Sequence, residues 1–165
     1  MPLLGLELRP IGPDDRERMV SMFVRLSPES RLMRFNTPKP RLTSRELAFL
    51  TDVDHFRHVA LAAVDHGDGS IVGTARYVEE AGRPGVADIA VEVIDELQGR
   101  GIGTALATAV IERARENGFT LLTATTLWEN RRARGLLRRL RFHARASNRG
   151  ELQLELALAP SQNAP

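Results

Sequence analysis

The chain has 165 residues and no cysteine, which excludes disulfides, thiolate metal centres and a cysteine nucleophile. Lys39 is its only lysine, Trp128 its only tryptophan and Tyr77 its only tyrosine. Arginine therefore carries the positive charge. A guanidinium stays charged and suits phosphate or carboxylate, but so complete a replacement of lysine points to codon bias rather than mechanism. The formal net charge is only +2, so composition makes no case for nucleic acid. The scarcity of aromatics agrees: Arg131, Arg132, Arg134, Arg138, Arg139, Arg141 and Arg145 form a basic run with only Trp128 beside it. A single-strand reader needs a series of stacking rings. No apolar run approaches a membrane span, and residues 1–8 lack the basic n-region and length of a secretion signal. A cytoplasmic protein without nucleic-acid or membrane partners is expected. The length suits one well-buried domain, residues 1–160, with a short disordered tail at 161–165.

Hydrophobic periodicity predicts an α/β (α+β) domain on a mostly antiparallel sheet. A first strand at residues 6–11 stops at Gly12-Pro13. A helix follows from Asp14-Asp15 with Met19, Phe23 and Leu26 at helical spacing. A short helix spans 28–35, and another runs from the Thr43-Ser44-Arg45-Glu46 start signal to about Val53. The period then changes: strands at 59–64 and 71–78 flank a hairpin turn, and a third covers 86–94. A helix at 105–117, a strand at 121–127, a helix at 129–140 and a closing hairpin of 142–147 with 151–158 complete the chain.

The most informative stretch lies between the third of these strands and the helix after it. Gln98-Gly99-Arg100-Gly101-Ile102-Gly103-Thr104 places three glycines in five positions. Glycine permits tight backbone turns with successive amides exposed, and the following helix offers unpaired N–H groups and the positive end of its dipole. That combination seats a phosphate or pyrophosphate. The spacing excludes two familiar cofactor loops. A dinucleotide fingerprint needs G-x-G-x-x-G with an acid some way downstream, and residues 123–127 supply none. A P-loop needs a lysine after its glycines.

In register, Gln98, Gly101 and Gly103 satisfy [QR]-x-x-G-x-[GA], and the segment resembles the pyrophosphate loop of the GCN5-related N-acetyltransferases (the GNAT family). The order of elements along nearly the whole chain is similar to that family's, implying its fold: a mixed, mostly antiparallel sheet of about seven strands with flanking helices. Arg25-Leu26-Ser27-Pro28-Glu29-Ser30-Arg31, Arg34-Phe35, Val53-Asp54 and His58-Val59-Ala60-Leu61 resemble a narrower branch, the bacterial Pat-type protein lysine acetyltransferases.

The resemblance implies acetyl-CoA as co-substrate, without a metal, and direct transfer to a primary amine, preferentially a protein lysine. A small-molecule amine, or an acetyl-CoA-binding module without catalysis, is the alternative. It implies a monomer or homodimer, and an acceptor groove built from the loops 27–40 and 145–150. The pyrophosphate would lie on the amides of Gly99, Arg100, Gly101, Ile102, Gly103 and Thr104, after Gln98. The pantetheine arm would pair with backbone at Val91 and Val93, and Asn130 would either bond that arm or cap its helix. A backbone N–H polarising the thioester is worth ~3 kcal/mol.

Acyl transfer to an amine also needs a base. A lysine of pKa about 10.4 is neutral in roughly one copy per 2,500 at pH 7, a handicap of about 4.6 kcal/mol. Asp88 stands where the Pat-type branch has a glutamate and is the first candidate. Glu92 projects from the same strand face by the period-two rule and is the second. Leu137 stands where many relatives place a tyrosine acid, and Arg141 where they have a glycine. His55-x-x-His58 has metal-like spacing but no clustered third ligand, so a packed or loop histidine pair is expected.

Overall fold

The computed structural model of the chain describes residue 3 and residues 5–160; the tail expected at 161–165 lies outside them. Seven strands form one sheet: β1 (Leu6–Pro10), β2 (His58–Asp65), β3 (Ile71–Glu79), β4 (Val86–Val93), β5 (Leu121–Leu127), β6 (His143–Asn148) and β7 (Glu151–Ala157). Their order is β1-β2-β3-β4-β5-β7-β6. The β4–β5 pair is parallel and the other pairs are antiparallel. Helices α1 (Arg16–Arg25), α2 (Pro28–Phe35) and α3 (Ser44–Thr51) precede β2; α4 (Ile102–Glu116) links β4 to β5, and α5 (Arg131–Arg139) links β5 to β6. Apart from its final residue, β2 is continuously buried, as expected of a strand covered on both faces.

Helices α2, α3 and α5 start on side-chain caps. Ser27 Oγ accepts from the Ser30 amide, Thr43 Oγ1 from that of Glu46, and Asn130 Oδ1 from that of Ala133, each satisfying an orphan first-turn donor. Helices α4 and α5 end on left-handed residues. Gly118 (φ +82°) closes α4, with Phe119 N–H donating to Ala114 O and Gly118 N–H to Arg115 O. Arg141 (φ +71°) closes α5 in the same way, through Phe142 N–H to Leu137 O and Arg141 N–H to Arg138 O. Both are Schellman endings, and in the second the buried Phe142 and Leu137 supply the accompanying apolar pair. An L-residue at positive φ costs about 1–2 kcal/mol, partly offset by the freedom glycine has when unfolded. Arg141→Gly should therefore be more stable by about 0.5–1 kcal/mol, read as a shifted urea midpoint at constant slope.

Several expected boundaries move. The helix expected from residue 105 begins at Ile102, because Gly101 (φ +86°, ψ 0°) turns the chain directly into its first turn. Asp14 and Asp15 fall in a 3₁₀ turn, Pro13–Asp15, ahead of α1. Residues 95–97 form a second 3₁₀ turn, which no periodicity announced.

Gly73, on β3 opposite Val93, lets α4 lie close to the sheet. A Cβ there would stand 3.0 Å from the Glu92 carbonyl oxygen and 3.1 Å from Leu106 Cδ1. Gly73→Ala must push β3, β4 and α4 apart, and a loss of about 1–3 kcal/mol is expected by chemical denaturation.

Candidate active site

The site begins as a gap in the sheet. β4 pairs with β5 only over Val86–Asp88 against Leu121–Thr123, and β5 then continues along β7. Ile94 N–H donates to Val72 O at 2.9 Å. Since hydrogen-bonding direction alternates along a strand, the even-numbered β4 residues pair with β3. Ile89, Val91 and Val93 therefore direct N–H and C=O into the gap. One of these groups is already engaged: Gln98 Nε2 donates to Val93 O at 2.9 Å. Gln98 Nε2 also lies 3.3 Å from Ser30 Oγ, and its Oε1 accepts from Arg132 Nη1.

At the end of this edge stands the start of α4. Gly99 (φ +77°) and Gly101 (φ +86°) are left-handed, and the first helical bond runs from Ala105 N–H to Gly101 O. Ile102, Gly103 and Thr104 are thus the first three helical residues, whose amides have no intrahelical acceptor. Ile102 is buried and anchors the turn, while Arg100 is exposed. Gly103 differs from its neighbours. It is helical, and its Cβ would stand 3.7 Å from both Val91 Cγ1 and Val93 Cγ2. Neither a positive φ nor a close approach demands glycine here, since those distances are ordinary van der Waals contacts. Asn130 caps α5, one of the two roles considered for it.

The even-numbered side chains of β4 define the opposite face. Asp88, Ala90 and Glu92 share it with Thr74 and Arg76 of β3, their register partners' side. Glu92 is held: its Oε1 accepts from Thr74 Oγ1 at 2.9 Å, and its Oε2 lies 3.4 Å from Arg34 Nε. Arg76, only 2% exposed, donates through Nη1 to Leu50 O and approaches His58 Nε2, both at 3.0 Å. That contact requires an acceptor at Nε2, so His58 is neutral with its proton on Nδ1. Burial, assisted by Arg76, pushes the His58 pKa down to about 4. Burial also lowers Arg76, with Arg34 adding and Glu92 opposing, to about 10, still charged at neutral pH.

Asp88 is different. It closes the β4–β5 pairing, and its Oδ1 lies 3.0 Å from Thr123 Oγ1, which is also 2.6 Å from Glu80 Oε1. One hydroxyl has one proton, and Glu80 is the nearer acceptor. Burial raises the Asp88 pKa to about 6; the Thr123 contact opposes this, the Glu80 charge adds, and Arg34 opposes. Three strand steps, about 10 Å, separate Asp88 from Val91. A base at Asp88 would need intervening water to serve an amine beside the Val91 edge.

Sequence reasoning placed Asp88 and Glu92 on one face but missed Arg34, Arg76 and Thr123 beside them. A charged residue inside the apolar run of β3 was the available signal for Arg76. It also missed the fastening of α2 to the end of β4: Asp95 accepts from Ser27 N–H, Ser27 Oγ and Ser30 Oγ at 3.0, 2.8 and 2.9 Å. Tyr77 is fully buried, donating to Phe56 O at 2.7 Å and accepting from Asn117 Nδ2 at 2.6 Å. It faces away from Asp88. Leu137 is buried as a packing residue. His55 lies exposed in a loop, and among the described residues no cluster of three metal-ligating side chains occurs.

The sequence and the fold have known counterparts. The family model described as the acetyltransferase (GNAT) family matches residues 21–142. Acetyltransferase Pat of Mycolicibacterium smegmatis is 30% identical over 158 residues, covering 96% of this chain and 47% of its own length. The chain thus spans about half of that relative. Acetyltransferase PA5475 of Pseudomonas aeruginosa is 34% identical over 137 residues, covering 82% of this chain and 73% of its own. The solved GNAT domain of S. lividans PAT superposes with a TM-score of 0.86 at 31% identity, covering 93% of this chain and 90% of that one. With a family model across most of its length and a sheet that follows the same course as the streptomycete domain, this chain belongs to the acetyltransferase (GNAT) family.

Proposed function

We propose that the chain is an acetyl-CoA-dependent N-acetyltransferase that acetylates a primary amine, preferentially a protein lysine, by direct transfer. Residues 1–160 then act as one catalytic domain in the cytoplasm, as monomer or homodimer. The observation that carries this reading is the juxtaposition of a free β4 edge, a glycine-bounded helix start and an ionisable carboxylate without its own counter-ion. The resemblance of residues 25–31, 34–35, 53–54 and 58–61 to the Pat-type protein lysine acetyltransferases supports the lysine preference. No helix among the described residues is long and apolar enough to cross a membrane.

The residues present suit coenzyme A. The amides of Ile102, Gly103 and Thr104, aided by the helix dipole and Arg100, would hold the pyrophosphate. The Ile89, Val91 and Val93 edge would hold the pantetheine arm as an added strand. When bound, acetyl-CoA supplies an activated acetyl group on a thiol leaving group. The chain's own contribution is then threefold. Val91 N–H faces the gap and can donate to a carbonyl oxygen placed there. Asp88, ionised above about pH 6, accepts the ammonium proton through water. Glu92, between Thr74 and Arg34, keeps the floor of the acceptor side electrically balanced and serves as counter-ion to Arg34, not as base. Leu137 cannot donate a proton, so a leaving thiol group would be protonated by water or by the departing ammonium and not by a side chain at this position.

Initial rates measured against both substrates test direct transfer. Intersecting double-reciprocal lines are expected with a lysine peptide; parallel lines would mean an acetylated enzyme and overturn it.

A further inference from the structure

A cavity of about 370 Å³ opens beside α2 and α3, lined by Arg34, Phe35, Lys39, Arg45, Glu46 and Phe49 among others. Its charges are lopsided. Glu46 is committed to Lys39, with Oε1 3.0 Å from Nζ. Arg34 leans on Glu92. Arg45 is exposed on the rim and has no acidic partner among the described residues.

The walls are aromatic. The Arg34 and Lys39 cationic groups stand 4.7 and 5.4 Å from the Phe35 ring centroid. Phe49 is exposed, its ring centroid 4.8 Å from that of His58. Buried atoms without a hydrogen-bond partner carry both signs here: Arg76 Nε and Nη2, Glu46 Oε2, and Arg34 Nε with the Glu92 Oε2 that it faces at 3.4 Å. The cavity borders the catalytic face directly, since Arg34 both lines it and contacts Glu92.

We propose that this cavity receives a carboxylate carried by the acetyl acceptor near its amine, with Arg45 and Arg34 as its cationic ligands and Phe49 as its apolar wall. The proposal rests on the acetyl-transfer reading and names its acceptor class. An acceptor with an ammonium at one end and a carboxylate at the other would align with the site: the ammonium toward Asp88, the carboxylate toward the cationic rim. A guanidinium and a carboxylate match in geometry as well as charge. A second cation on the acceptor would be repelled there. Two sources offer this chemistry: a free amino acid, or an acidic residue beside a lysine in a polypeptide.

The test uses matched acceptors on the full chain. One arm compares a lysine peptide flanked by glutamate with the same peptide flanked by glutamine. The other compares free lysine with lysinamide. Both kcat/KM and calorimetric affinity in the presence of coenzyme A are read. In at least one arm the carboxylate form should be preferred by tenfold or more, and that arm identifies the source. Arg45→Glu should remove or reverse the preference. Equal use and equal binding of the two forms within twofold in both arms would overturn the proposal, as would an undiminished preference in a folded Arg45→Glu protein. If no amine is acetylated, the transfer reading fails, while the calorimetric preference still decides the fate of the cavity.

Discussion

Asp88→Asn should lower kcat by about 10²-fold or more while leaving acetyl-CoA affinity nearly unchanged, and should make the protein more stable at pH 7. The two effects share one cause. Burial holds the Asp88 pKa at about 6, against 3.8 for an ordinary aspartate. Between those values the folded chain binds more protons than the unfolded one, so stability falls as pH rises through about 4 to 6. Above about pH 6 the carboxylate is charged, partly buried and close to Glu80. Asparagine removes that charge and should recover about 1–2 kcal/mol, flattening the stability profile in this window. The activity profile should change at the same place: kcat/KM in the parent rises through an inflection near pH 6, and the variant lacks it. Glu92→Gln gives the contrast. It strands Arg34 and Arg76 beside a neutral amide, so the expected loss is in folding and acceptor affinity, with the inflection near pH 6 retained. An unchanged rate in Asp88→Asn, with the inflection lost in Glu92→Gln, would move the base to Glu92.

Gly101→Val should weaken acetyl-CoA binding by about 10²-fold or more, equivalent to about 2.7 kcal/mol or more. The space around Gly101 is open, with nothing within 4 Å of the point where a Cβ would stand, so crowding is not the reason. Its φ of +86° is. A β-branched residue is a conformational outlier at that angle, and relaxing it rotates the Ile102, Gly103 and Thr104 amides away from a common centre. Gly103→Ala is the control. Its Cβ would meet only ordinary van der Waals contacts, so the fold and most of the affinity should survive. Calorimetry on both variants, with circular dichroism to confirm folding, checks the pair. Near-parental affinity in a folded Gly101→Val protein would remove the pyrophosphate site from this loop.

Much of this was legible in the residues because it is local. Periodicity found the strands, the glycine spacing marked the left-handed turn that starts α4, and the period-two rule put Asp88 and Glu92 on one face. What stayed hidden depends on register and tertiary packing. Nothing near Glu92 in sequence announces Arg34, which reaches it only because Asp95 ties α2 to the end of β4. Thr123 meets Asp88 only because β5 pairs with the first three residues of β4 and no more. That short pairing creates the gap, and no strand propensity encodes where two strands part. The helix start differs from the expected residue 105 because glycine disfavours helix interiors, yet Gly103 sits in the first turn, which the left-handed Gly101 leads directly into.

The central claim is catalytic transfer, and release of coenzyme A thiol tests it most directly. Purified chain is incubated with acetyl-CoA alone, with a lysine peptide alone and with both, at mildly alkaline pH where Asp88 is fully ionised. Thiol should appear at a catalytic rate only with both present, in step with acetylated amine identified by mass spectrometry. Tight acetyl-CoA binding without amine-dependent thiol release, across peptide and small-amine acceptors alike, would contradict the account and leave an acetyl-CoA-binding module in its place.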